Sequence, residues 1–135
     1  MKNLKKVLAF ILVVAMMASL MISASALSAK DFTDYTEVQN KDAVAMLTEL
    51  GIINGYPTGD FKPAGTVTRA EMAKMIYVVL NGGSDKAPTP SAQRYTDVFR
   101  GMWCEGYVAF CDDLGIIAGY GDGKFGPNDL VTGTQ

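Results

Sequence analysis

The chain has 135 residues, 49% of them hydrophobic and 10% aromatic, with no histidine and a formal net charge of −2. Nucleic-acid binding depends on clustered lysine and arginine, and twelve basic side chains against fourteen acidic ones do not form such a footprint, so no nucleic-acid partner is expected. With two cysteines and no histidine, neither a metal site nor a cofactor is expected.

The chain begins with the pattern of a secretion signal. Lys2, Lys5 and Lys6 precede an apolar run over residues 7–22, and Ala24-Ser25-Ala26 follows as a small-residue cleavage pattern. The run is shorter than the roughly 20 residues of a spanning helix. We predict a signal peptide over residues 1–26, cleaved after Ala26, and no integral membrane span in the mature chain. The mature chain then carries nine basic and fourteen acidic side chains.

One 18-residue sequence motif occurs twice in the mature chain. Residues 51–68 read GIINGYPTGDFKPAGTVT and residues 115–132 read GIIAGYGDGKFGPNDLVT, at an offset of 64 and with ten of eighteen positions identical. Repetition at a long fixed period indicates one structural unit used more than once. This favours a binding or scaffolding module over an enzyme, and no nucleophile with a base or Gly-rich phosphate loop is present.

The first helix of each copy follows an aromatic-x-Asp element, which is Phe32-Thr33-Asp34 in the first and Tyr95-Thr96-Asp97 in the second. Apolar residues at spacings of three and four predict amphipathic helices that end at Gly51 and Gly115. The predicted buried faces are Ala43, Met46, Leu47 and Leu50 in the first copy, and Tyr107, Phe110, Cys111 and Leu114 in the second.

A loop and a second helix follow. The motif Gly55-Tyr56 with Phe61, repeated as Gly119-Tyr120 with Phe125, is too rich in glycine and proline for regular structure and predicts an ordered loop pinned by its aromatic residues. Thr68-Arg69-Ala70-Glu71 fits a capping box and predicts the start of the second helix. Its predicted buried face is Ala73, Ile76, Tyr77 and Leu80.

These elements divide the chain into a first repeat at 27–83, a polar, proline-bearing linker at 84–93 and a second repeat at 94–135. The second repeat stops four residues into its second helix, so we expect its core to lack a covering helix. We interpret the chain as the front of a longer reading frame; the alternative is a helix borrowed from a partner.

Cys104 and Cys111 are seven residues apart. On one helix their Cα atoms would lie about 10 Å apart, beyond the ~7 Å limit for a disulfide. We expect them unbridged, with Cys111 acting as a small buried hydrophobe.

The ordered elements, each occurring twice, resemble the S-layer homology (SLH) domain of bacterial surface proteins. The resemblance covers nearly all of the mature chain. It implies an all-α fold of tandem helix-loop-helix repeats, here with the second repeat truncated, in which three copies pack with pseudo-threefold symmetry. It also implies non-covalent binding to cell-wall polysaccharide, often with anionic pyruvylated sugars.

The resemblance implies a ligand-binding role for Arg69. A cation in the first helical turn opposes the helix dipole, and a bound carboxylate would offset that cost through the guanidinium fork and the helix amides. The alternative is an arginine that pairs with a neighbouring acid or is solvated. The second copy has Gly133 at this position but retains Thr132 and Gln135, so Thr68 and Glu71 are interpreted as structural.

Three further residues are candidates for ligand contact. Trp103 matches an aromatic position of the family and stacks on a sugar face or packs in the core. Asp34 and Asp97 accept sugar hydroxyls or cap a turn. The repeated Gly55-Tyr56 and Gly119-Tyr120, with Thr132, are assigned to the structural motif.

The leading hypothesis is a secreted anchor that holds a protein on the cell wall by binding anionic, pyruvylated polysaccharide. The alternatives are a module that self-assembles in a surface layer and the anchor portion of a larger exoenzyme. Catalysis by this chain is not expected.

Overall fold

The structure is a computed structural model that describes residues 27–132. The predicted signal peptide with its cleavage site at Ala26, and residues 133–135, lie outside this range. The described part is helix-rich and contains α1 (Lys41–Glu49), α2 (Arg69–Leu80) and α3 (Glu105–Asp113). Short 3₁₀ turns at Ala29–Asp31 and Tyr35–Glu37 precede α1. Residues 27–132 form no β-strand, only isolated bridges.

The predicted start of α2 and the predicted ends of α1 and α3 are confirmed. The Thr68 hydroxyl accepts a hydrogen bond from the Glu71 amide at 3.3 Å, and the Glu71 carboxylate accepts one from the Thr68 amide at 2.8 Å. Both halves of the capping box are therefore present at the start of α2. Gly51 (φ 70°) and Gly115 (φ 67°) follow α1 and α3 in the left-handed conformation that ends helices.

The hydrophobic residues form two separate cores. The first belongs to the first repeat and has the buried members Ala29, Phe32, Val38 and Val44. The second combines the two repeats and has the buried members Ala70, Ala73, Val98, Cys104, Val108, Cys111 and Phe125. Among the described residues, the first core is therefore built within one repeat, whereas the second core is shared by both repeats.

Helix α2 packs against α3 of the following repeat. The two helices run antiparallel, because Arg69 at the start of α2 bonds to Ala118 beyond the end of α3, while Tyr77 contacts Tyr107 near the start of α3. The small, fully buried Ala70 and Ala73 allow the close approach. The expectation that the second core lacks a covering helix is therefore wrong, since the first repeat supplies it.

The predicted buried face of α1 is largely exposed. Met46 and Leu50 are 64% and 54% exposed, and Ala43 is also exposed, whereas Val44 and Thr48 are buried. The spacing predicted the helix correctly. However, α1 has no α-helix packed on the face that corresponds to the α2-contacting face of α3, among the described residues. Leu114 and Leu80, also predicted as buried, are exposed too.

The predicted linker is held against α3. The hydroxyl of Tyr77 donates to the Lys86 carbonyl at 2.8 Å, and that of Tyr107 donates to the Asp85 carbonyl. Arg100 donates to the carbonyls of Pro90 and Ser91. The boundaries at 84 and 93 stay a prediction, but the backbone of this segment has fixed partners.

Cys104 and Cys111 are both buried and unbridged, as predicted. The Cys111 thiol donates to the Ala73 carbonyl of α2 at 3.4 Å. Burial raises the pKa of both thiols. The two cysteines therefore serve as packing residues in the core shared by α2 and α3.

Among residues 27–132, no helix is both long enough and apolar enough to cross a membrane.

Candidate ligand site

Arg69 is the first residue of α2, and its side chain packs against the loop of the second repeat. Its Nε donates to the Phe125 carbonyl at 2.9 Å, and its Nη2 donates to the Ala118 carbonyl at 2.6 Å. Its guanidinium carbon lies 4.9 Å from the Tyr120 ring centroid and 4.5 Å from that of Phe125. One edge of the guanidinium is thus bound to protein, while Nη1 makes no hydrogen bond to residues 27–132.

The amides at the start of α2 are also bound to protein. The Arg69 amide donates to the Asp129 carbonyl at 2.8 Å and the Ala70 amide to the Pro127 carbonyl at 3.1 Å. The Glu71 amide is taken by Thr68. Free backbone amides normally make a helix start attractive to anions, but here these amides already have partners. A ligand carboxylate at Arg69 would therefore bind through the remaining Nη1 edge of the guanidinium.

The two Gly-Tyr pairs hold their loops in place. A Cβ atom on Gly55 would lie 2.5 Å from the Phe32 ring, and one on Gly119 would lie 2.4 Å from the Tyr95 ring. The Tyr120 hydroxyl donates to Asp129 at 2.9 Å, which raises the pKa of Tyr120. These are close-packed structural positions.

Tyr56 differs from Tyr120 in its partner. Its hydroxyl donates to the Glu71 carboxylate at 3.3 Å, which links the first loop to the capping box of α2. Burial, followed by the charge of Glu71, raises the pKa of Tyr56. The start of α2 therefore contacts the loops of both repeats.

Asp34 and Asp97 bind backbone amides of their own loops. Asp34 accepts from the Phe61 and Lys62 amides at 2.8 and 2.7 Å. Asp97 accepts from the Phe125 and Gly126 amides, both at 2.8 Å. The structural alternative for these two residues therefore has direct geometric support.

These amides affect the two carboxyl groups differently. The Phe61 amide is the main cause of the lowered pKa of Asp34. For Asp97, desolvation raises the pKa, but backbone amide bonds, led by those from Phe125 and Gly126, and the charge of Lys124 lower it by a larger amount, so the net pKa is lowered. Both groups are thus favoured in the charged form.

Trp103 lies at the other end of the helix pair. It is 56% exposed, and its ring centroid lies 6.4 Å from that of Tyr107. It lines a cleft of about 420 Å³ between linker residues 85–89 and residues 100–107. This volume falls in the range of small-ligand pockets.

Glu105 lies in this cleft and was missed by sequence reasoning. It is only 6% exposed; one carboxylate oxygen accepts from the Gly101 amide at 3.0 Å, and the other is buried and has no hydrogen-bond partner among residues 27–132. A carboxylate buried to this extent is costly, so Glu105 is an unusual residue in the wall of the cleft. The sequence signal that could have identified Glu105 is its position as the one acidic residue in the otherwise uncharged stretch from Cys104 to Cys111.

The structure does not bring Arg69 and Trp103 together. Arg69 lies near the end of α3 and Trp103 near its start. Helix α2 has twelve residues, a length of about 18 Å, and it separates the two regions. The sequence candidates therefore form two sites, one around Arg69 with Tyr120 and one around Trp103 with Glu105.

The repeat architecture and the two loops agree with a comparison against known families, in which the S-layer homology domain matches residues 31–73 and 94–135. The chain belongs to the S-layer homology family. The two matches cover most of the repeated elements and leave out residues 74–93, which hold the later part of α2 and the whole predicted linker. This assignment confirms the resemblance inferred from the repeated motifs.

Several curated proteins resemble this SLH chain. An S-layer protein of Bacillus thuringiensis subsp. finitimus is 35% identical over 128 residues, which is 94% of the chain and 15% of that protein. A cellulosome-anchoring protein of Acetivibrio thermocellus is 30% identical over 59% of the chain and 18% of its own length. An amylopullulanase of Thermoanaerobacterium thermosulfurigenes is 36% identical over 76% of the chain and 5% of its own length.

The SLH chain thus spans less than a fifth of each of these relatives. No solved structure matches it significantly. Family membership and the surface-layer relatives support the predicted location at the cell surface or wall.

Proposed function

We propose that this chain anchors a secreted protein to the bacterial cell wall by binding an anionic, pyruvylated polysaccharide. Family membership supports a surface-anchoring role in general. The observation that supports this proposal is the cleft beside Trp103, whose lining combines an exposed indole with the carboxylate of Glu105.

The cleft offers the contacts that a sugar requires. The Trp103 indole is 56% exposed and is tilted relative to the Tyr107 ring, so it presents an apolar face on which a pyranose ring can stack. Glu105 adds a carboxylate to the cleft wall, which can accept a hydrogen bond from a sugar hydroxyl or N-acetyl amide once the side chain turns toward the ligand. The lining carries Lys86 and Arg100 as well as Asp85 and Glu105, so cationic groups for a charged substituent lie beside acceptors for sugar hydroxyls.

Arg69 is proposed as a second contact for the same polymer. Its Nη1 is directed away from the two carbonyls that bind Nε and Nη2, so it can donate to the carboxylate of a pyruvyl group. A polymer that spans about 18 Å reaches both regions. This part of the proposal needs a test that separates ligand contact from stability, because Arg69 also joins the two repeats.

Cosedimentation with purified cell-wall sacculi tests the proposal. Trp103→Ala should weaken binding of the mature chain at least about tenfold, whereas Phe99→Ala should not. Phe99 is a matched control because it is 57% exposed and lies outside the cleft. Equal binding by both variants would reject the cleft as the glycan site.

Sacculi stripped of pyruvyl ketals by mild acid test the charge requirement. Binding should fall on stripped sacculi, and Arg69→Lys should reduce binding to native sacculi more than to stripped ones. A loss that is equal on both kinds of sacculi would assign Arg69 to structure alone. Circular dichroism melting of each variant identifies losses that come from unfolding.

Self-assembly is the second candidate function, and the exposed face of α1 favours it. Analytical ultracentrifugation without polysaccharide should then show concentration-dependent association that Leu50→Glu abolishes. A strict monomer at high concentration would leave anchoring as the sole function proposed.

A further inference from the structure

The linker is fixed at its start by one tyrosine from each helix of the shared core. The Tyr77 hydroxyl of α2 donates to the Lys86 carbonyl at 2.8 Å, and the Tyr107 hydroxyl of α3 donates to the Asp85 carbonyl. Tyr77 is buried, so its hydroxyl reaches the linker from within the packed helix pair. The start of the linker is therefore bound to both helices at once.

The linker is fixed a second time further along the chain, where Arg100 donates to the carbonyls of Pro90 and Ser91. We call residues 85–91, which include both attachments, the strap. Residues 85–89 of the strap form one side of the cleft proposed for the glycan. The cleft is therefore complete only while the strap is docked.

Gly106 gives the strap room on α3. A Cβ atom on Gly106 would lie 2.6 Å from the Pro88 carbonyl oxygen and 2.9 Å from the Ala87 Cβ atom. Glycine is among the poorest helix formers, so the helix itself gains nothing from this residue. Close approach of the strap explains why a glycine lies within α3.

The first repeat forms the corresponding helix without these features. The counterparts of Gly106 and Tyr107, 64 positions earlier, are Asp42 and Ala43. The first has a side chain where glycine leaves room, and the second has no hydroxyl to bind a carbonyl. The residues that dock the strap are thus additional to what the helix requires, and they belong to the repeat that contains the cleft.

We propose that the strap is part of the ligand site and that Tyr77 is a positioning residue for that site, although Tyr77 does not line the cleft. This inference rests on the proposed binding of wall polysaccharide in the cleft. The Tyr77 hydroxyl holds Lys86 and so fixes the wall that the ligand contacts. Because the complete cleft requires a docked strap, ligand binding must in turn favour docking.

Limited proteolysis of the wild-type mature chain tests this coupling. Lys86 is exposed and is followed by Ala87, so trypsin can cut the strap between them when it leaves the helices. The probe is soluble polysaccharide released from sacculi by muramidase. It should slow cleavage after Lys86 at least about fivefold in the wild type but not in Trp103→Ala.

The outcomes of this experiment separate the strap from the proposed function. Binding of the wild-type chain to sacculi with an unchanged rate of cleavage after Lys86 would overturn the inference and leave the glycan site in place. Absence of any binding to sacculi would overturn both.

Tyr77→Phe tests the positioning role, because it removes the hydroxyl and keeps the ring that contacts Tyr107 and Phe110. Binding to sacculi should weaken about fivefold, and cleavage after Lys86 without polysaccharide should become faster. Ile76→Val is the matched control, since it removes one methylene beside the shared core and lowers stability while leaving the strap bonds intact. Wild-type binding by Tyr77→Phe, or an equal loss in both variants, would overturn the role of Tyr77.

Discussion

The Nε atom of Arg69 donates a hydrogen bond to the Phe125 carbonyl at 2.9 Å and so joins residues 56 positions apart. The bond ties the first turn of a helix from one repeat to the loop of the next. With Ala70 and Ala73 in the core around α3, it shows that the packing unit is offset from the repeat in the sequence. Repeats of this kind are stabilised by their neighbours rather than individually.

Arg69→Ala should lower the free energy of unfolding by about 2 kcal/mol, because it removes two charged hydrogen bonds and a cation–π contact from a partly buried position. Arg69→Lys should lose about half as much. Urea denaturation followed by circular dichroism gives the measurement. Lys74→Ala is the control, since this cation of α2 makes only long contacts, a 4.0 Å ion pair with Asp85 and a 5.8 Å approach to the Tyr107 ring centroid, and should cost under about 1 kcal/mol.

Gly106→Ala should destabilise the chain although alanine favours helices by about 1 kcal/mol. The added Cβ would lie 2.6 Å from the Pro88 carbonyl and 2.9 Å from the Ala87 Cβ, so the linker must move off α3. We expect a net loss of about 1–3 kcal/mol and faster proteolysis within residues 84–93. A variant as stable as the wild type, with an equally resistant linker, would show that the linker is not packed here.

Stability should fall in acid because of Asp34 and Asp97. Their folded-state pKa values are lowered, so their stabilising effect is present above the unfolded pKa and is lost as pH falls through the folded pKa, below about pH 4. Thermal melts from pH 7 to pH 2 check this. Asp97→Asn should lower the melting temperature at pH 7 by roughly 5 °C and flatten the acid limb. An unchanged pH profile in this variant would contradict the assignment.

Both thiols should be unreactive in the folded chain. Cys104 and Cys111 are fully buried and burial raises the pKa of each, which suppresses the nucleophilic thiolate. With an aromatic disulfide reagent at pH 8, we expect labelling at least about a hundredfold slower than in 6 M guanidinium chloride. Rapid labelling of either cysteine under native conditions would show that the α2 and α3 core opens readily.

Local chemistry allowed much of the architecture to be predicted. The capping box of Thr68 and Glu71, the stop at Gly51 and the unbridged cysteines depend on residues a few positions apart, and each is present in the structure. The repeat at an offset of 64 could also be found without a structure, because it requires only comparison of the sequence with itself. Family membership followed from these elements.

The burial of single residues was less predictable. Met46 is exposed although its spacing marks an apolar helix face, and Glu105 is buried although it is charged. Trp103, for which stacking and core packing were both open, is exposed beside a cleft. Each outcome depends on how segments distant in the sequence pack together, such as linker residues 85–89 beside Trp103.

The sequence by itself determined which helices and loops this chain forms, because their start, stop and turn signals act over a few residues. Only the tertiary structure decided that α2 covers the core of the following repeat and that Arg69 binds its loop. The physical reason is the repeat itself. Two copies present nearly the same apolar face and the same loop carbonyls, so the sequence alone does not distinguish packing within one copy from packing on the next.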